Sequence, residues 1–219
     1  MSYPGGKSLS GVYQLIINQI PSHRVFIETH LGGGAIMKNK KPAEINIGID
    51  IDPSVINTWI KQNSTSVVLS DATEYLRQYE FMGNEFIYVD PPYLRSTRLT
   101  KRKIYNYEYD ETQHIELLDL LLSLKCKVMI SGYFSELYNQ KLKKWRRIEY
   151  KSRNRTGDFT IEYLWMNYPE VDELHDYQYL GSTYRERERI KKRNSRWVEK
   201  IRELPPLEKR ALLECLNTI

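Results

Sequence analysis

At 219 residues the chain can form one α/β domain with a large core and a small appendage, and it is too short for two independent enzymatic domains. Its hydrophobic fraction of 41% and charged fraction of 28% are ordinary for a globular protein, and no apolar run approaches the roughly 18 residues that span a bilayer. The net charge of +5 permits a polyanionic partner but does not establish one.

The first residues lack the apolar core of a signal peptide, so we expect a cytoplasmic protein without a membrane partner. Cys126 and Cys215 lie far apart in the sequence and lack metal-ligand spacing. In a reducing compartment both remain thiols. We therefore expect neither a disulfide framework nor a metal site.

Short β-branched runs alternate with segments of helical periodicity, which predicts βαβ units around a mostly parallel sheet with helices on its faces. We expect strands at residues 25–27, 45–49, 67–69, 85–89 and 127–131, and a closing hairpin from the runs 145–150 and 162–167. A short helix is predicted after Gly34. Further helices are predicted to begin at Pro53, to run from after Asp71 to Tyr79 and to cover 115–124.

From Tyr184 onward the pattern is helical and is broken at Pro205-Pro206, which predicts two helices joined by a proline turn. Between Gly181 and Ile219 there are eleven basic and six acidic residues, so this segment carries the whole net charge. We expect a catalytic domain over residues 1–176 and a basic helical extension over residues 181–219.

Three glycines, Gly32, Gly33 and Gly34, follow the first predicted strand. Ligands of open α/β sheets bind at the carboxyl ends of the strands, and glycines there let the backbone approach a ligand closely. Tight packing is the alternative explanation for such glycines. Asp50 closes the second strand at a distance from Gly34 typical of an acid that binds ribose hydroxyls, which favours a nucleoside-type cofactor.

The stretch Gly5-Gly6-Lys7-Ser8 matches the end of a phosphate-binding loop, which would indicate an ATPase. That motif needs a glycine where Met1 stands and a strand before it. We therefore do not expect an ATPase.

The tetrapeptide Asp90-Pro91-Pro92-Tyr93 follows the fourth predicted strand. Its prolines end the strand and hold the backbone rigid, which presents a carboxylate, a carbonyl and an aromatic ring in a row. The Asp90 carboxylate and the Pro91 carbonyl can accept both hydrogens of an adenine amine, and Tyr93 can stack on an extruded base. A plain loop or a short recognition motif is the alternative.

With these motifs, the chain resembles the Dam-like (D12 class) N6-adenine-specific DNA methyltransferases, in particular phage and prophage orphan adenine methylases. The matching segments are Tyr3-Pro4-Gly5-Gly6-Lys7, residues 26–35, Asp90-Pro91-Pro92-Tyr93, residues 131–138 and residues 162–167. The resemblance implies a Rossmann-like class I methyltransferase fold with S-adenosylmethionine as cofactor. In the enzymes that the chain resembles, aspartate at the first position of the catalytic motif is typical of those that act on adenine.

The resemblance also implies which residues form the site. Tyr3 and Lys7 would contact the methionine end of the cofactor, Asp50 its ribose and Asp71 its adenine. The full implied cofactor set is Tyr3, Lys7, Glu28, His30, Leu31, Gly32, Gly33, Gly34, Asp50, Asp71 and Asp90. His30 departs from the family pattern, which often has phenylalanine there.

A second departure concerns DNA recognition, because only eighteen residues separate Asp71 from Asp90 and the usual recognition insertion is missing. A tyrosine-rich segment after the catalytic motif supplies basic residues that suit phosphate contacts, or that form only a solvated loop. These candidates are Arg95, Arg98, Lys101, Arg102 and Lys103. A basic loop at 151–155 adds Arg153 and Arg155, and the basic tail either binds DNA or is a solvated or self-pairing face.

The predicted reaction is methyl transfer from S-adenosylmethionine to the N6 amine of a flipped adenine in double-stranded DNA. The same chemistry on RNA is one alternative. A non-enzymatic nucleic-acid-binding protein on a degenerate methyltransferase scaffold is another, although neither motif is damaged. The recognition sequence, the oligomeric state and any cognate nuclease of a restriction-modification pair cannot be read from one chain.

Overall fold

The computed structural model describes residues 6–9, 11–61, 66–98, 103–153 and 159–218. The chain divides into two compact units, Met1–Asp176 and Tyr177–Ile219. Within the described ranges, no helix combines the length and the apolar character needed to cross a membrane.

The described part of the larger unit contains one seven-stranded sheet in the order β3-β2-β1-β4-β5-β7-β6. Its strands are β1 Val25–Thr29, β2 Ile45–Asp50, β3 Ser66–Leu69, β4 Glu85–Val89, β5 Lys127–Gly132, β6 Arg146–Arg153 and β7 Phe159–Met166. The first five are parallel, whereas β7 is antiparallel to both of its neighbours. The first five strands have the order of a doubly wound nucleotide-binding sheet, so the predicted mostly parallel mixed sheet is confirmed.

Helices cover both faces of this sheet. Those in the described ranges of the larger unit are α1 Val12–Ile17, α2 Ala35–Asn39, α3 Pro53–Ile60, α4 Ala72–Gln78, α5 Glu111–Ser123 and α6 Glu136–Lys141. The sequence pattern did not predict α1 or α6, because helices of six residues are too short to show a clear period. A short 3-10 helix at Arg95–Thr97 follows the catalytic motif.

The central strands β1 and β4 are buried along their whole length, which explains their continuous apolar runs. The acids that follow the strands also start the next helices. Asp52 accepts a hydrogen bond from the backbone N–H of Ser54 at the start of α3, and Asp71 accepts two at the start of α4. These caps hold the strand-to-helix turns at the carboxyl edge of the sheet in place.

The closing hairpin of β6 and β7 is confirmed and is longer than predicted. Lys151 and Arg153, which we expected in a loop, lie in β6 and pair with Ile161 and Phe159 of β7. The sequence shows why, because exposed and buried residues alternate along this segment with the period of a strand. Residues 154–158 of the predicted basic loop lie outside the described residues.

The smaller unit contains α7 Tyr184–Glu203 and α8 Pro206–Leu216. The helices are separated at Leu204 and Pro205, as the proline pair predicted. Thr183 caps α7 by accepting a hydrogen bond from the backbone N–H of Glu186. The helical C-terminal extension is therefore confirmed.

Candidate active site

The carboxyl ends of the parallel strands bring the predicted site residues together. The glycine turn follows β1, Asp50 ends β2, Asp71 follows β3 and Asp90 follows β4. Because these strands are parallel neighbours, all four features lie along one edge of the sheet, where ligands of such folds bind.

Two adjoining cavities lie at this edge. Three residues, His30, Asp90 and Tyr105, line both cavities. The first is also lined by Asp50, Asp52, Asp71, Pro92, Asn106, Tyr107 and Tyr109, and the second by Lys7, Glu28, Leu31, Gly32, Gly33, Gly34 and Pro91. The structure thus gathers the described members of the predicted cofactor set around two adjoining spaces.

The glycine turn is needed both for packing and for access. Gly34 has a φ of 56°, and a Cβ there would lie 2.1 Å from the ring of Trp59. The Trp59 ring nitrogen donates a hydrogen bond of 3.0 Å to the carbonyl of Gly32, whose φ is also positive at 46°. Packing against Trp59 therefore requires glycine at position 34, while all three glycines border the second cavity.

Asp50 is buried at the end of β2, and each of its carboxylate oxygens accepts one backbone N–H at 2.8 Å, from Gly32 and from Asp52. Burial raises the pKa of Asp50, and these two hydrogen bonds oppose that rise. A carboxylate oxygen can accept more than one hydrogen bond. Asp50 can therefore bind ligand hydroxyls while it holds the glycine turn.

Asp71 lies on the wall of the first cavity. One of its oxygens caps α4, and the other accepts a hydrogen bond of 2.7 Å from the hydroxyl of Tyr109. Burial and this contact raise the pKa of Tyr109, which keeps its hydroxyl protonated as a donor. Tyr109 was not predicted as a site residue; its position in the tyrosine-rich segment was the available signal.

His30 has an unusual backbone conformation for a residue with a side chain, with a φ of 55°. Burial lowers its pKa to about 4, so the ring is neutral near pH 7. Nδ1 contacts the Thr29 hydroxyl at 3.1 Å, and the buried Nε2 has no hydrogen-bond partner among the described residues. A buried polar atom of this kind beside two cavities is suited to a ligand.

Glu28 is a buried carboxyl group on the wall of the second cavity. Burial raises its pKa to about 8, against the opposing effect of the hydrogen bond of 2.7 Å from the backbone N–H of Met37. Glu28 is therefore mostly protonated at pH 7.

The raised pKa of Glu28 predicts a pH-dependent loss of stability. Because the folded protein holds this proton more tightly than the unfolded chain, stability falls as pH rises from about 4.5 toward about 8. Glu28→Gln keeps an acceptor for the Met37 N–H and removes the titration. We expect the melting temperature of the variant to rise relative to wild type between pH 5 and pH 8.5, measured by circular dichroism, and parallel curves would contradict the assignment.

Asp90 is held by two neighbours that both contact the same oxygen. Oδ1 accepts a hydrogen bond of 2.8 Å from the Lys7 ammonium and one of 2.6 Å from the Ser131 hydroxyl. Among the described residues these are the hydrogen bonds that the Asp90 carboxylate receives, and neither involves its Oδ2 atom. The Asp90 side chain is 18% exposed and lines both cavities.

Lys7 joins Asp90 to a second carboxylate, Glu162 of β7, at 3.4 Å. It also donates to the Tyr93 hydroxyl at 2.7 Å, and Tyr93 in turn donates to Glu162 at 2.6 Å. Burial alone would lower the pKa of Lys7, but Asp90 and Glu162 outweigh it and hold that pKa well above its usual value. The cation is therefore fixed between two anions beneath the catalytic motif.

Glu162 is a second residue at the candidate site to which the sequence analysis assigned no role. Its carboxylate also accepts hydrogen bonds from the hydroxyls of Tyr150, at 2.9 Å, and Ser152. Burial would raise its pKa, but Lys7 and the three hydroxyls lower it. A glutamate at a buried position of an alternating strand was the available signal.

Some of the residues predicted to contact nucleic acid are exposed in the structure, and one is buried. Arg95 and Lys103 are exposed and line a groove with Tyr107 beside the first cavity. Arg98 is 9% exposed and pairs with Glu108 at 2.7 Å, so its guanidinium holds the tyrosine-rich segment rather than facing outward. Arg153 is exposed on β6. The predicted residues Tyr3, Lys101, Arg102 and Arg155 lie outside the described residues.

Within the described ranges there is no cluster of three or more histidine, cysteine, aspartate or glutamate side chains that could hold a metal ion. Cys126 is buried and Cys215 exposed, and both are free thiols.

No family model and no curated protein sequence matches the chain. Among solved structures, TrmK of M. capricolum in complex with S-adenosylhomocysteine aligns with a TM-score of 0.49 at 11% identity, over 96% of this chain and 95% of that chain. A SAM-dependent methyltransferase from Archaeoglobus fulgidus aligns with a TM-score of 0.53 at 15% identity, over 74% of this chain and 94% of that chain. The likeness to the latter shows that this chain has the fold of S-adenosylmethionine-dependent methyltransferases.

Proposed function

We propose that the protein transfers a methyl group from S-adenosylmethionine to the N6 amine of an adenine flipped out of double-stranded DNA. One observation carries the proposal. The Asp90 carboxylate is anchored through Oδ1 by Lys7 and Ser131, which leaves Oδ2 available, and Asp90 lines both cavities.

The residues that line the cavities have the chemistry that the proposed cofactor needs. Asp50 has capacity to bind ribose hydroxyls, and Asp71 and Tyr109 line the space beyond it for the adenine ring. The second cavity offers the Glu28 carboxyl group and the unpaired ring nitrogen of His30 to the polar methionine end. When bound, S-adenosylmethionine supplies an electrophilic methyl group on a sulfonium.

The catalytic motif provides what an adenine amine lacks. The N6 lone pair is delocalised into the ring, so the amine is a poor nucleophile. Hydrogen bonds from its two N–H groups to Asp90 Oδ2 and the Pro91 carbonyl favour a pyramidal nitrogen with a directed lone pair. Because Pro91 and Pro92 fix the backbone, both acceptors are in place before the substrate arrives.

Tyr93 would provide the stacking surface for the flipped base. Its hydroxyl is hydrogen-bonded to Lys7 and Glu162, and its ring meets the Tyr133 ring edge-on at 4.7 Å. Burial, Asp90 and Glu162 hold the pKa of Tyr93 well above its usual value, so the hydroxyl remains a neutral donor. The ring is therefore fixed as a flat surface next to the Asp90 carboxylate.

Labelled methyl transfer tests this proposal. The protein is incubated with methyl-labelled S-adenosylmethionine and either mixed-sequence duplex DNA or structured RNA. We expect label in DNA and little in RNA. Label in RNA alone would move the same chemistry to the other nucleic acid, and binding of the cofactor without transfer to either would reject the proposed substrate.

A further inference from the structure

The end of the β6–β7 hairpin, here residues 150–153 and 159–162 and called its tip, extends beyond the last β5 pair at the edge where the candidate active site lies. β5 ends at Gly132, which pairs with Tyr163 of β7. Residues 159–162 of β7 therefore have no partner in β5 and pair only with β6. At about 3.4 Å per residue, the hairpin reaches roughly 13 Å past the last β5 pair.

The two faces of this tip differ in chemistry. The inner face carries Tyr150 and Ser152, which donate hydrogen bonds to Glu162. Glu162 also accepts a hydrogen bond from Tyr93 and forms an ion pair with Lys7 of the candidate active site. The outer face carries two cross-strand pairs, Lys151 with Ile161 and Arg153 with Phe159. Opposed residues of an antiparallel pair lie on the same face, so the outer face combines cations with apolar side chains.

Two large apolar side chains of the outer face are exposed to solvent. Phe159 is 67% exposed and Ile161 is 50% exposed. The guanidinium of Arg153 lies over the Phe159 ring at 4.8 Å. Exposed apolar side chains on a projecting edge hairpin indicate a binding surface, since an exposed apolar edge strand would otherwise favour aggregation.

This surface continues back toward the catalytic motif. Arg147 of β6 lies 5.6 Å from the ring of Phe134 and 5.4 Å from that of Tyr163. Phe134, which is 44% exposed, directly follows Tyr133, and Tyr133 contacts the catalytic Tyr93. Two groups of arginine and aromatic side chains thus lie on this surface, one near Tyr93 and one at the end of the hairpin.

We infer that this outer face is a DNA-binding surface that holds the DNA strand next to the flipped adenine. The face is formed by Phe134, Arg147, Lys151, Arg153, Phe159, Ile161 and Tyr163. The inference rests on the proposed function for the position of that adenine. Arginine planes and aromatic rings stack on bases that have lost a stacking neighbour, and the cations contact phosphates. Three cations against one carboxylate, Glu149, make the face attractive to a polyanion.

Matched variants on opposite edges of the sheet test the inference. Ile161→Ser changes the outer face, and Ile45→Ser is its control, because Ile45 is 52% exposed at the amino end of β2. Lys151→Glu likewise has Lys127→Glu as its control at the amino end of β5. Phe159→Ser removes the most exposed aromatic ring of the outer face.

The readout is the dissociation constant of the full-length protein for a fluorescein-labelled, mixed-sequence DNA duplex, measured by anisotropy. We expect about tenfold weaker binding for Phe159→Ser and Lys151→Glu and a smaller loss for Ile161→Ser, with both controls within about twofold of wild type. Lys151→Glu should also reduce the slope of log affinity against log salt by about 1. Calorimetric binding of S-adenosylhomocysteine, unchanged in every variant, verifies the fold.

The inference is overturned if the tip variants bind DNA as tightly as wild type does, or if wild type does not bind DNA. It is also overturned if the tip variants lose affinity only for structured RNA, or if wild type sediments as a dimer that Ile161→Ser converts to a monomer. Failure of the proposed reaction is separate, since it appears in wild type as DNA binding without methyl transfer.

Discussion

Asp90→Ala is expected to reduce methyl transfer by a factor on the order of 10³, because it removes one of the two acceptors proposed to hold the adenine amine. Asp90→Asn should be similarly damaged, since its amide also presents donors to the amine. The side chain is not required for the ribose and adenine contacts proposed at Asp50 and Asp71. Binding of S-adenosylhomocysteine, measured by calorimetry, should therefore change little.

The contrast between the two measurements decides the role of Asp90. A variant that lost cofactor affinity and activity in parallel would place Asp90 in the cofactor site alone. Retention of a tenth or more of wild-type activity would contradict an acceptor role. Ser131→Ala, which removes one of the two groups that anchor Oδ1, should produce an intermediate loss of about tenfold.

Lys7→Met should lower the free energy of unfolding by about 3–5 kcal/mol, because it leaves the buried carboxylate of Glu162 without its cation. The double variant Lys7→Met/Glu162→Gln should recover part of this loss, since the remaining amide carries no charge. Urea unfolding of wild type, both single variants and the double variant measures the coupling directly.

The stability lost in Lys7→Met should also depend on pH. In wild type the pKa of Glu162 is lowered, so its stabilising contribution is present above its unfolded pKa and is lost as pH falls. Without Lys7 the pKa of the buried Glu162 carboxylate is higher than in wild type, so the variant loses stability relative to wild type as pH rises. The deficit of Lys7→Met should therefore be larger at pH 7.5 than at pH 5, and a deficit independent of pH would contradict the proposed ion pair.

The sheet and the residues at its carboxyl edge could be predicted because both follow from short, local sequence patterns. Apolar runs mark β1 and β4, and the residues that end a parallel strand, such as Asp50 and Asp90, must lie at one edge. The short helices α1 and α6 were missed because six residues show no reliable period.

The network beneath the catalytic motif could not be predicted in the same way. Lys7, Asp90 and Glu162 are separated by more than seventy residues at each step, so their contact depends on how β7 packs beside β5. Arg98 illustrates the opposite problem. Its basic neighbours suggested a phosphate contact, but Glu108, ten residues later, folds back and pairs with it.

The predicted strand ended before Lys151, and the outer face of the hairpin could therefore not be predicted from the sequence. With Lys151 and Arg153 in a loop, their positive charge predicts only a flexible phosphate contact. As part of β6 they are held in register with Ile161 and Phe159, and the face they form has a defined position relative to Tyr93.

Nucleoside analysis of methylated DNA tests the central claim most directly. Duplex DNA is incubated with the wild-type protein and S-adenosylmethionine, digested to nucleosides and analysed by mass spectrometry. We predict N6-methyldeoxyadenosine in the wild-type reaction and none with Asp90→Ala. Methylation found on cytosine instead, or DNA left unmodified by a protein that binds the cofactor, would contradict the assignment of Asp90-Pro91-Pro92-Tyr93 as an adenine-methylating site.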